Sequence, residues 1–165
     1  MRTMKHTVVS TVFGWVVIGC SEKGLCFVSL PESSLEDAVA GSGAPVHCAV
    51  EEQSLFGDLP LRLRRYFEGG VVMFPDKLDL SNTTVFEQTV WDAARTIPYG
   101  ETRSYAWLAE RIGKPRAFRA VGRAMSRNRF PIIVPCHRVT ASDGSLGGFR
   151  GGLELKRRFL ELESR

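Results

Sequence analysis

Ser104-Tyr105-Ala106-Trp107-Leu108-Ala109-Glu110-Arg111-Ile112-Gly113-Lys114-Pro115-Arg116-Ala117-Phe118-Arg119-Ala120-Val121-Gly122-Arg123-Ala124 holds two short helical patterns separated by a break. Ser104 is a natural N-cap for a helix over Tyr105 to Ile112, and Gly113-Lys114-Pro115 stops that helix. A further helix from Arg116 to Arg127 follows the short turn, and two helices joined this way form a helix-turn-helix. Arg116, Arg119, Arg123 and Arg127 recur at every third or fourth position, so they share one helical face. Ala117, Ala120, Gly122 and Ala124 lie between them. Small side chains let a helix backbone approach a partner closely while flanking guanidinium groups neutralise phosphates. A merely solvated basic helix would also carry alanines, for their propensity. The charge around it favours nucleic acid.

That charge is unevenly spread. Residues 1–80 hold 7 Lys+Arg against 10 Asp+Glu, a balance of −3, whereas 81–165 hold 15 against 8, a balance of +7. From Arg111 to Arg138 there are eight basic residues and no acidic one. A mixed solvated surface interleaves the signs, and clustering of one sign points to a polyanion.

Immediately downstream stands Ile132-Ile133-Val134-Pro135-Cys136-His137-Arg138-Val139. The apolar run is short enough for a buried strand, and Pro135, unable to donate a ladder hydrogen bond, would end it with Cys136 at the edge. Sulfur attacks as thiolate, and an ordinary thiol is only a few per cent ionised near neutrality, so an adjacent histidine able to take its proton is informative. In an extended chain successive side chains alternate, so Cys136 and His137 need a turn or a bridging water to cooperate.

Further out, Thr7–Val12 and Trp15–Gly19 read as strands about a Phe13-Gly14 turn, with Leu25–Leu30 as a third. Residues 31–50 read as an exposed helix and loop. A helix starts at Pro60 and stops at Gly69-Gly70, and Phe74–Leu80 reads as an edge strand. Ser81-Asn82-Thr83 marks a boundary, giving an N-terminal lobe of 1–80 and a C-terminal lobe of 81–165. A helix from Thr84 to Thr96 opens the second lobe, its stripe of Phe86, Val90, Trp91, Ala94 and Ile97 facing a core. The expected fold is an α/β N-terminal lobe, a small antiparallel sheet plus helix. A mainly α helix-turn-helix or winged-helix DNA-binding lobe follows it.

At 44% apolar and 24% charged residues the composition is that of a globular protein, and no stretch nears the roughly 18 apolar residues of a membrane span. Neither a membrane partner nor a signal peptide is expected. Four cysteines in 165 residues are too few for a disulfide scaffold, so a reducing, cytoplasmic setting is the natural one. Cys20, Cys26, His47-Cys48 and His6 match no clean tetrahedral spacing; no zinc site and no cofactor are expected.

The stretches Ile97-Pro98-Tyr99-Gly100-Glu101-Thr102-Arg103-Ser104-Tyr105, Arg119-Ala120-Val121-Gly122, Asn128 and Pro131 through Val139 resemble the O6-alkylguanine-DNA alkyltransferases. These are also called methylated-DNA–protein-cysteine methyltransferases. The tail Gly151-Gly152-Leu153 with Lys156, Leu160 and Glu163 fits the same pattern. The likeness is dense over about 85–163, visible at Tyr66-Phe67 and Leu78-Asp79-Leu80, and thin before that.

The resemblance implies a single-turnover repair protein that binds duplex DNA through the minor groove and flips out an O6-alkylguanine. It then moves the alkyl group irreversibly onto Cys136. Removing a base from the stack costs a few kcal/mol. By similarity, Arg119 fills the vacated space, with Ser104, Arg116, Ala120, Gly122 and Arg123 also at the DNA. Tyr105 rotates the base and protonates its ring. His137 acts as base through a water, oriented by Glu163, and Asn128 ties the recognition helix to the acceptor strand. Val139, Phe149, Arg150 and Tyr105 line the base pocket. The protein would act as a monomer that can cluster on DNA.

Two other classes compete. A binding module that only marks alkylated DNA would lack the reactive cysteine, and a cysteine hydrolase would need an oxyanion hole but no arginine-lined helix. The chain departs from the family's usual pattern at Phe149, commonly tyrosine, and at Arg150, small in some relatives. Arg150 narrows the expected pocket, so methyl should transfer faster than benzyl. Comparable single-turnover rates for the two groups would remove that expectation.

Overall fold

The computed structural model describes residues 4–42 and 53–165 and divides into two compact units, one ending at Asp79 and the other starting at Leu80.

The first unit is built on an antiparallel meander of β1 (Lys5–Thr11), β2 (Gly14–Ser21) and β3 (Gly24–Val28), in that order. β1 and β2 carry the β-branched Val8, Val9, Val16, Val17 and Ile18, as suits pleated, buried strands, and Val9, Val16, Val17 and Ile18 are wholly buried. Their turn requires Gly14: its φ is +124°, and a Cβ there would lie 2.3 Å from the Glu32 carbonyl oxygen. Helix α1 (Leu35–Ser42) packs on β2 and buries Ala38 against Val8 and Val17, and α2 (Leu59–Phe67), with proline in its first turn, packs on β1. The expected strands and the Pro60 helix are present with small shifts of boundary. One expectation is corrected. Phe74–Leu80 is not a strand, because only Lys77 and Asp79 exchange backbone bonds with Leu25. The helix expected within 31–50 is α1, and 43–50, with His47 and Cys48, lie outside the described residues.

The second unit contains α3 (Val85–Ala94), β4 (Arg103–Ser104), α4 (Tyr105–Arg111), α5 (Phe118–Ser126), β5 (Val139–Thr140) and α6 (Leu153–Glu163). Thr84 opens α3 with a capping box: its hydroxyl accepts from the Glu87 amide at 3.1 Å and the Glu87 carboxylate accepts from the Thr84 amide at 3.0 Å. Trp91 of α3 donates its indole N–H to the Ala124 carbonyl at 3.0 Å, binding α3 to α5. Helix α4, capped by Ser104, ends before Gly113 at φ +77°, and α5 follows after a turn, so the helix-turn-helix is present. Arg116 falls in that turn rather than in α5, and Arg127 caps the C-terminal end of α5 and pairs with Glu87 at 3.2 Å. The parallel pairing of β4 with β5, Arg103 to Val139 and Ser104 to Thr140, brings the start of α4 beside the segment after Cys136.

The capping box predicts that Thr84→Ala lowers unfolding stability by about 1 kcal/mol, read as a reduced urea midpoint at unchanged slope. An unchanged midpoint would show the cap to be without consequence.

Candidate active site

Ile132-Ile133-Val134 is buried as expected but is a turn, not a strand. The chain reverses between Pro131 and Val134, with the Val134 amide on the Phe130 carbonyl at 2.8 Å and Ile132 at φ +77°. A β-branched residue in that region costs on the order of 1–3 kcal/mol and persists only where neighbours over-determine it. Asn128 supplies the constraint. Just beyond α5, its side-chain oxygen accepts from the Phe130 amide at 2.9 Å and its amide donates to the Val134 carbonyl at 2.8 Å. Asn128 thus joins the end of α5 to a turn two residues before Cys136.

Cys136, His137 and Arg138 then form a single 3-10 turn. This supplies the departure from extended geometry that the adjacent cysteine and histidine need. Cys136 reaches the surface in part, whereas His137 is fully buried. The imidazole Nε2 lies 2.8 Å from Glu163 Oε1 at the end of α6. Arg138, counted in the basic run from Arg111, is buried. Its guanidinium donates to both Glu163 oxygens at 2.8–3.2 Å and to the Ile97 carbonyl at 2.8 Å.

Burial alone would push the Glu163 carboxyl up, but hydrogen bonds from His137 and Arg138 outweigh it and hold it at about 2. The carboxylate is therefore ionised and accepts only, so Nε2 carries the proton and the lone pair sits on Nδ1. Burial pushes the His137 pKa down against the pull of Glu163, so the ring rests neutral. Burial pushes the Cys136 thiol up, opposed by an Asn128 hydrogen bond and the Lys156 charge. At rest the pair is thiol and neutral imidazole.

Lys156 was legible only as part of a family-like tail, with no role attached to it. It is fully buried, and its ammonium donates to the carbonyls of Val139 at 2.7 Å, Leu146, and Gly148 at 3.4 Å. Desolvation brings its pKa down to about 8, while Cys136 pulls it back up. The signal was available, since Lys156 and Glu163 share the inward stripe of α6 with Phe159 and Leu162. A charged residue on a core stripe calls for a buried partner.

Tyr105, first residue of α4, is half-buried, its hydroxyl 3.5 Å from the Gly148 carbonyl and its ring against Gly147. Burial, then the charge of Cys136, raise its pKa, so it keeps its proton. Val139 is buried immediately after the Cys136–Arg138 turn. Phe149 is half-buried edge-on to Phe159, with Lys156 5.9 Å from its ring, and Arg150 is exposed. Ser104 is engaged as the α4 cap, accepting from the Trp107 amide at 3.0 Å. Arg116, Arg119 and Arg123 are exposed, Ala120 is half-buried, and a Cβ built on Gly122 meets nothing within 4 Å. Among the described residues no three His, Cys, Asp or Glu side chains gather for a metal, and Cys26 is buried 3.8 Å from Asp79. No described helix is long and apolar enough to cross a membrane.

A half-open cysteine backed by a buried histidine and carboxylate, beside an arginine-bearing helix-turn-helix, defines a DNA-binding protein with a candidate nucleophile. Family models for the 6-O-methylguanine DNA methyltransferases match both parts, the ribonuclease-like domain over residues 4–80 and the DNA-binding domain over 85–165. The chain belongs to that family. It is 38% identical over 160 residues to the methylated-DNA–protein-cysteine methyltransferase of Methanosarcina acetivorans, covering 97% of this chain and 98% of that one. It is 53% identical over 102 residues to the Mycobacterium tuberculosis protein of the same name, covering 62% and 61%. The crystal structure of M. tuberculosis O6-methylguanine methyltransferase superposes with a TM-score of 0.76 at 35% identity, covering 98% and 93%. A structure of the M. tuberculosis protein in complex with DNA gives the same score and identity over 97% and 92%.

The Glu163 site makes a pH prediction. A carboxyl held at about 2 when folded and at its ordinary 4.5 when unfolded contributes stability that is complete above 4.5 and lost as pH falls toward 2. The contribution is on the order of 3 kcal/mol. Urea midpoints measured from pH 6 to pH 2 should fall more steeply for the parent than for Glu163→Gln, which starts lower; parallel curves would refute the assignment.

Proposed function

We propose that this protein repairs O6-alkylguanine in duplex DNA by direct reversal, taking the alkyl group onto Cys136. The observation that carries the reading is Cys136, a partly exposed residue on a turn whose next residue is buried against Glu163 and which Asn128 fastens to the basic helix.

Helix α5 meets the DNA through the minor groove, with Arg116 and Arg123 at phosphates, Ala120 and Gly122 admitting the backbone, and Arg119 in the space the flipped guanine leaves. Ser104 and the start of α4 border the same surface. The extruded base stands between Tyr105 and the 146–150 loop, walled by Val139 and Phe149. As sulfur approaches the alkyl carbon, the thiol proton passes through a water to His137 Nδ1, and Glu163 stabilises the resulting imidazolium. The S–C bond forms, the C–O6 bond breaks, and its electron pair goes to the purine, which takes a proton from Tyr105. Lys156 holds Val139 and the loop in place and favours the transient thiolate by its charge. The thioether does not revert, so one molecule repairs one lesion. The transferred group arrives with the substrate, and a reducing cytoplasm keeps the acceptor a thiol.

Incubation with a duplex containing O6-methylguanine should add one methyl group to the Cys136 peptide, seen by mass spectrometry, and Cys136→Ala should abolish it. DNA retained with the peptide unmodified would favour a binding module. Product release with the cysteine regenerated would favour a hydrolase.

A further inference from the structure

Apolar side chains scattered singly over a surface are ordinary, but Phe118 is singular in kind and in place. It is 47% exposed and is the only exposed aromatic side chain among the described residues. It is the first residue of α5 and precedes exposed Arg119, whose guanidinium carbon lies 6.0 Å from its ring centroid. Val121, Ala124 and Met125 already supply the inward side of α5, so the core does not call on the Phe118 ring. One turn later on the same side, Gly122 leaves bare backbone where a Cβ would meet only open space. Helical side chains lean toward the N-terminus, which sets the ring at the forward end of the arginine-bearing face.

We infer that Phe118 is a wedge that stacks on a base flanking the gap left by the extruded guanine, while Arg119 occupies the gap itself. The inference rests on the base-flipping reading above and adds a second residue to it. Extruding a nucleotide unstacks both its neighbours, and an arginine alone covers the exposed base faces poorly. Phenylalanine inserted at a base step is a recurrent minor-groove device, and its flat ring accepts any base because every base has a π-face. The wedge would therefore make repair tolerant of flanking sequence. The Phe118–Arg119 proximity fits this role, since the two side chains enter as one unit.

The test compares single-turnover methyl transfer from O6-methylguanine in a duplex with benzyl transfer from free O6-benzylguanine, which needs no flipping. For Phe118→Ala the ratio of duplex rate to free-base rate should fall by about 5- to 150-fold, the range that stacking one base on an aromatic ring carries. Phe118→Trp should restore it. An unchanged ratio in Phe118→Ala, or no recovery with tryptophan, would overturn the wedge. A second readout places 5-iodouracil on either side of the lesion; light couples it to a stacked aromatic ring with loss of hydrogen iodide. Attachment at Phe118 supports the wedge, and its absence from both flanks refutes it. A parent chain that never methylates Cys136 sinks the repair reading itself, a separate outcome.

Discussion

The second unit depends on a buried carboxylate. Glu163, at the end of the last helix, holds His137 and Arg138 on consecutive residues of one turn, and through Arg138 it reaches the Ile97 carbonyl. Burying an isolated carboxylate is prohibitive, and burying an isolated guanidinium is little better. Together they satisfy one another, and removal of either would leave the other stranded at a cost of about 3–5 kcal/mol. The turn that carries Cys136 is therefore fixed by electrostatics, and it draws α6 and the start of the unit into a single arrangement.

The same grouping explains why the sulfur is quiet at rest. Burial dominates over the helpers at Cys136 and over Glu163 at His137, leaving both groups uncharged. A standing thiolate would be open to oxidation and to stray electrophiles. Under the proposed reaction, charge separates only when an alkyl carbon is in line, and the surroundings already suit it: an ammonium near the sulfur and a carboxylate behind the imidazole. In that reaction Cys136 stays un-ionised until the substrate is present.

Much of this was legible in the chain. The helix-turn-helix followed from Ser104, Gly113 and Pro115 because caps and breakers act locally, and the β1–β2 hairpin followed from two short apolar stretches about the Phe13-Gly14 turn. What escaped was non-local. Ile132-Ile133-Val134 has every local mark of a strand, yet Asn128 clamps it into a turn, a tertiary override of propensity. Arg138 was one more charge in a basic run, and only folding shows that a carboxylate from the far end of the unit claims it. The ends of α5 also shifted: Arg116 lies in the turn before it, and Arg127, its C-cap, pairs with Glu87. The proximity of Tyr105 to the acceptor turn rests on the short parallel β4–β5 pairing, which leaves almost no trace in sequence.

The Asn128 clasp has a mechanical consequence. It joins the C-terminal end of α5 to the Val134 carbonyl without an intervening flexible loop, and the strained Ile132 peptide leaves little slack between them. Under the proposed reaction, the span from α5 to the Cys136 sulfur is thus a gauge of set length. A lesion is measured against it: whatever swings out too short or too far from the duplex axis finds no sulfur at the end of its arc.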